Sequence, residues 1–88
     1  FDNEEYSFIK TGKNNFVVEG AIKIYDLEEN VDIEFPEVRE YDTLAGFILD
    51  YIGDIPTVGQ IVKYENYSFK VIKLNENRID KVEIKKNE

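Results

Sequence analysis

The chain contains no cysteine and no histidine. The first absence removes disulfides, thiolate zinc sites and thiol nucleophiles, and fits a reducing compartment such as the cytoplasm. The second removes the side chain that most often serves as general base or transition-metal ligand. Long apolar runs are missing too. None exceeds three residues, as in Phe47-Ile48-Leu49, which Asp50 ends, far short of the roughly 20 residues that cross a bilayer, so direct membrane insertion is not expected. Basic residues are scarce: the formal net charge is −8, with fourteen acids against four bases in residues 1–59 and five against seven in residues 60–88. A surface of that balance repels phosphate backbones and anionic lipid headgroups, which argues against nucleic acid as a partner.

What is present suits a folded core. An apolar fraction of 42% with six Tyr and six Phe in 88 residues supports one domain, 1–88, and is too little for two. The sequence opens at Phe1 without an initiator Met or a leader-like start, as a piece excised from a longer polypeptide would.

Local patterns predict an α+β domain of order ββααβββ. Tyr6 and Phe8 alternate with Ser7 and Ile9 before the turn residues Thr11-Gly12-Lys13-Asn14-Asn15, and Phe16-Val17-Val18-Glu19 follows, giving a hairpin. Ile24, Leu27 and Val31 fall at helical spacing over two turns. Pro36 denies a helix to residues 32–40, a connecting loop whose Ile33, Phe35 and Val38 are expected to tuck inward. Leu44, Phe47, Ile48, Tyr51 and Ile52 form an amphipathic stripe, with Asp42 as the expected N-cap, Gly53 past the end and Pro56 preventing resumption. Three strands then follow over 60–65, 67–74 and 78–85, divided by Asn66 and by Asn75-Glu76-Asn77, which favours an antiparallel meander. The expected product is a mainly antiparallel open sheet with both helices on one face. Gly46 inside a helix costs about 1 kcal/mol against Ala, and so predicts a close crossing by a neighbouring strand or helix.

The run Tyr41-Asp42-Thr43-Leu44-Ala45-Gly46-Phe47, followed by Gly53, Ile55-Pro56, Val58-Gly59, the hairpin Tyr64-Glu65-Asn66-Tyr67-Ser68-Phe69 and Arg78-Ile79, resembles the transporter-associated domain of CorC/HlyC-type proteins over roughly residues 15–86. The resemblance implies a parent linked to magnesium and cobalt export, with an N-terminal membrane domain, a pair of CBS modules in the cytoplasm and this domain at the C-terminus. It implies a regulatory or assembly role exercised through protein contacts at the cytoplasmic face of the membrane. The partners would be the CBS pair and the membrane domain, with a homodimer through an exposed strand edge as a further possibility. It supplies no ligand residues and no cofactor.

Chemistry in the chain itself is sparse. Ser7 and Ser68 sit in predicted strands without a base nearby in sequence and read as ordinary strand hydroxyls. A chain this small has little room for a cleft flanked by two tuned acids, so no enzyme is expected. Tyr6, Phe8, Tyr64, Tyr67 and Phe69 would make a stacking platform only beside a basic groove. Lys63, Lys70 and Lys73 instead alternate with apolar positions as solvent-facing residues do, so core aromatics are the better account. The sharpest candidate is residues 26–37, where Asp26, Glu28, Asn30, Asp32, Glu34 and Glu37 occupy positions 1, 3, 5, 7, 9 and 12 of a calcium-loop spacing. Val31 stands where that loop needs Gly, and Pro36 follows at position 11. The residual reading is a loose divalent-cation site of Asp26, Glu28, Asp32, Glu34 and Glu37, working as a cation-sensing switch. The eight acids between Asp26 and Asp42 are what keep that reading open, and a solvated acidic face is the better account.

Overall fold

A computed structural model describes residues 8–87. Five strands and two helices run in the order β1 (Phe8–Lys10), β2 (Asn15–Glu19), α1 (Ile24–Asn30), α2 (Leu44–Ile52), β3 (Ile61–Tyr64), β4 (Tyr67–Asn75) and β5 (Arg78–Lys86). The predicted order ββααβββ is therefore the observed one, although Tyr6 and Ser7 lie outside the described residues. All pairings are antiparallel and the sheet order is β1-β2-β5-β4-β3. β3, β4 and β5 form the expected meander. The N-terminal hairpin joins it through β2 against β5, in a register that sets Phe16 opposite Ile84 and Val18 opposite Val82.

That register stacks the core. Phe16, Ile84, Phe69 and Val62 make one cross-strand row, and Val18, Val82 and Val71 make the next. All but the partly buried Phe16 are at most 5% exposed. Period-two alternation sends these side chains to one face, where both helices lie. α1 buries Ile24 and Leu27, and α2 buries Leu44, Phe47 and Ile48. Phe47 is the hub: the rings of Phe35, Tyr41, Tyr51, Tyr64 and Phe69 have centroids 5.0 to 5.7 Å from its own. Tyr64, Tyr67 and Phe69 are thus invested in the core, as the sequence suggested, and Lys63, Lys70 and Lys73 are exposed.

Four local expectations are corrected. The N-cap of α2 is Thr43, not Asp42: its hydroxyl accepts the Gly46 N–H at 3.1 Å, while the Asp42 carbonyl accepts the Ile24 N–H at 2.7 Å. Asp42 is one residue too early to cap. Gly46 does make a close approach, but to the chain entering its own helix, since a Cβ there would lie 2.9 Å from the Tyr41 Cβ. Val38 is 95% exposed while Ile33 and Phe35 are buried; the chain leaves the core after Pro36. Tyr51 is 56% exposed at the edge of its stripe, so the buried arc of α2 is narrower than its apolar one. Gly53 closes α2 in the left-handed conformation, φ 82°, the role expected of it.

Candidate functional site

The acidic segment is built by two different backbones. Asp26 and Glu28 belong to α1, which turns Ile24 and Leu27 into the core. After Asn30 the chain turns, the Ile33 N–H donating to the Val31 carbonyl at 2.8 Å, and from Val31 to Phe35 burial alternates residue by residue: Val31, Ile33 and Phe35 are buried, Asp32 and Glu34 exposed. The Glu28 carboxylate accepts the Phe35 N–H at 2.9 Å and so folds this stretch back along the helix. Phe35 stacks on Tyr64, whose hydroxyl donates to the Glu34 carbonyl at 3.3 Å.

This arrangement brings Glu28, Asp32, Glu34 and Glu37 to the lining of one open groove of about 440 Å³, with Ile33, Phe35 and Arg39. Asp26 is not in that lining, because two residues along a helix point to opposite sides; its carbonyl instead accepts the Asn30 side-chain amide at 2.8 Å. Among the described residues no three carboxylates come together closely enough to hold a metal ion. The calcium-loop spacing fails for a backbone reason, since its first five positions are helical. Sequence reasoning also overlooked Arg39, a guanidinium in the groove that donates to the Pro36 carbonyl at 2.7 Å. One basic residue in a run of acids was the signal available.

The phenol of Tyr64 beside this groove is pushed above its usual value, first by burial and then by carboxylates including Glu65 and Glu28. Burial raises Tyr41 in the same direction, with Arg39 opposing it.

A second groove, of about 510 Å³, lies between α2 and the β4–β5 turn. Its lining includes Thr43, Ala45, Gly46, Arg78 and Ile79 together with Glu19, Ala21 and Asp80. Residues that carried the family resemblance from two distant stretches thus meet at one place. Beside it the Gly20 N–H donates to the Asp80 carbonyl at 2.9 Å, and the Ala45 N–H to the Gly20 carbonyl at 2.8 Å. A Cβ on Gly20 would overlap the Ile79 carbonyl oxygen. This knot joins β2, α2 and β5 and gives those residues a packing role. Ser68 donates its hydroxyl to the Asn87 side chain at 3.1 Å, a structural contact, and Ser7 lies outside the described residues. No described helix is long and apolar enough to cross a membrane.

A small antiparallel sheet with two helices on one face, tied together at Gly20 and Ala45, defines an open-sheet α+β domain. The family model for the transporter associated domain, CorC_HlyC, matches residues 9–88, and the chain belongs to that family. The family is one of transporter-associated accessory domains. Among curated proteins the chain is 31% identical over 75 residues to UPF0053 protein YegH of Escherichia coli (strain K12), covering 85% of the chain and 14% of that protein. It is 32% identical over 79 residues to the polyamine export protein of Salmonella typhimurium (strain 14028s / SGSC 2262), covering 89% and 18%. The chain thus spans less than a fifth of those relatives. Among solved structures, the transporter associated domain of a Xylella fastidiosa Temecula1 hemolysin in complex with Mg²⁺ and Mn²⁺ superposes with a TM-score of 0.84 at 27% identity, over 93% of this chain and 99% of that one. The transporter associated domain from a CBS domain protein of Porphyromonas gingivalis gives 0.80 at 27% identity, over 93% and 99%.

Proposed function

We propose that this chain is a non-catalytic regulatory domain of a membrane-anchored CorC/HlyC-like transport protein, lying at its C-terminus on the cytoplasmic side. It acts through contacts with the parent's CBS pair or membrane domain. The observation that carries this reading is the family match over residues 9–88, supported by the likeness to a domain taken from a CBS protein. The cargo we propose is a cation, magnesium or cobalt being the metal candidates. The polyamine export relative supports cationic cargo of another kind. The outer edges of β1 and β3, which no other strand among the described residues pairs, are where a second copy of the chain would add. The test is titration of the chain into its purified parent lacking the equivalent residues, read by fluorescence anisotropy. Saturable binding is expected, and none at high micromolar concentration would remove the protein-contact mechanism.

A second reading draws on a relative solved with Mg²⁺ and Mn²⁺ and on the groove lined by Glu28, Asp32, Glu34 and Glu37, where, since no three carboxylates meet among the described residues, a cation would be held loosely through its water shell. There the domain senses a divalent cation that relieves carboxylate repulsion and so stabilises the fold. Thermal unfolding with a few millimolar Mg²⁺, against monovalent salt of matched ionic strength, separates the two. An excess rise in Tm that vanishes when Glu28, Asp32 and Glu34 are changed to amides supports sensing. No excess rise removes it.

A further inference from the structure

The net charge of −8 is unevenly distributed over the fold. Because Val18, Val62, Phe69, Val71, Val82 and Ile84 point at the helices, alternation puts their strand neighbours on the opposite, helix-free face. Register fixes what that face carries. Lys85 lies opposite Ser68, which lies opposite Lys63; Glu83 lies opposite Lys70, which lies opposite Ile61; and Lys81 lies opposite Glu19 and, where the register shifts after Val71, opposite Lys73. Four of these five lysines are exposed and Lys81 is half-buried. The acids of α1, α2 and the loop between them, Asp26, Glu29 and Asp50 among them, belong to the other side. Like charges directly opposite each other, as Lys73 and Lys81 are, weaken a sheet; Asp80, 3.6 Å from the Lys73 ammonium, offsets part of that cost.

We propose that the helix-free face of the sheet is a docking surface for anionic lipid headgroups, and that it orients the domain on a bilayer with its acidic helix side turned away. A plane of lysines on flexible stems matches a plane of mobile phosphates, to which an ammonium offers a point charge without fixed geometry. The molecule is about 25 Å across its shortest axis, whereas charges are screened over about 10 Å at 0.1 M salt. Acids on the far side are therefore not felt at the membrane, and the repulsion inferred from net charge does not govern this face. Single-stranded nucleic acid fits less well. Binding it takes aromatic platforms, and Tyr64, Tyr67 and Phe69 all serve the core.

The inference rests on the reading that the parent is membrane-anchored, and the experiment supplies the anchor itself, so that either can fail alone. The chain lacks Cys, which permits single reporters: Ile61→Cys on the sheet face and Glu29→Cys on α1. Each labelled chain is tethered by a flexible C-terminal hexahistidine tail to phosphatidylcholine vesicles containing nickel-chelating lipid, with or without phosphatidylglycerol. Quenching by a headgroup-attached quencher is read at about 0.1 M salt. The expected result is severalfold stronger quenching at position 61 than at 29 on phosphatidylglycerol vesicles only. The difference is lost at about 1 M salt and in a Lys70→Glu/Lys81→Glu variant whose fold is checked by circular dichroism. Lys63→Gln/Lys85→Gln replaces that variant should it not fold. Equal quenching at both positions on anionic vesicles would overturn the proposal and leave the face to an acidic protein partner. The same difference on neutral vesicles would overturn it as well, because the tether alone would then set the orientation.

Discussion

The ring of Phe35 lies on the ring of Tyr64, with centroids 5.5 Å apart and planes inclined by only 7°. This pair fastens the acidic segment to the sheet: Phe35 is 6% exposed, its N–H is held by Glu28, and its ring also meets Phe47 edge-on at 5.0 Å. Phe35→Ala removes the anchor and leaves a cavity beneath the groove. The expected cost is about 3–4 kcal/mol, read from the midpoint of urea unfolding. A loss below about 1 kcal/mol would mean that the segment is not part of the core.

The cap assignment makes a sharper comparison. Thr43→Ala deletes the oxygen that accepts the Gly46 N–H and is expected to cost about 1 kcal/mol. Asp42→Ala leaves its backbone carbonyl bonded to Ile24, and a loss within about 0.5 kcal/mol is expected. Equilibrium unfolding of the two variants ranks them, and the reverse order would restore Asp42 as the cap.

Gly20 and Gly46 are both close-packed but not equally constrained. A Cβ at Gly20 meets backbone, the Ile79 carbonyl, which cannot move without disturbing the pairing of Ile79 with Leu74 and the adjacent bond from the Gly20 N–H to the Asp80 carbonyl. At Gly46 the overlap is smaller, 2.9 Å to the Tyr41 Cβ, which moves only with its own backbone, and Ala returns about 1 kcal/mol of helix propensity against that shift. Gly20→Ala is therefore expected to abolish or severely weaken folding, and Gly46→Ala to destabilise less. Thermal unfolding of both variants checks the order.

Alkaline pH acts through the tyrosines. Burial raises Tyr41 and Tyr64 above the ordinary value of 10.0, so the native state holds these protons more tightly than the unfolded chain. Their contribution is complete below pH 10 and is lost as pH rises through the native values. Stability is expected to fall above about pH 10, and Tyr64→Phe to flatten that fall in unfolding measured from pH 8 to 11. An unchanged profile would place the titration elsewhere.

Much of this fold was legible in local pattern. The stripe Leu44, Phe47, Ile48 and the alternation in β4 and β5 report burial directly, and Gly53 marks its helix end by chemistry only glycine supplies easily. The pairing of β2 with β5 was not legible, because sixty-odd residues of sequence separate Phe16 from Ile84 and neither carries a sign of the other. Gly20 was missed for the same reason: its constraint comes from Ile79 across that pairing. The acids of residues 26–37 were legible as a cluster, whereas their arrangement depended on where α1 stops. Because α1 runs to Asn30, Asp26 turns away from Glu28, and Arg39 enters the groove from the far end of the loop. Family resemblance found the class; the charge of the helix-free face required the register.

The central claim is that the domain regulates a cation transporter to which it is joined, and the most direct measurement is flux. Efflux of Mg²⁺ and of a polyamine is followed from vesicles containing the intact parent and from vesicles containing the same protein without the residues equivalent to 9–88, at equal amounts of folded protein. The account predicts that transport persists in the shortened protein but loses its dependence on cation concentration on the cytoplasmic side. Identical flux and identical regulation in both proteins would contradict it.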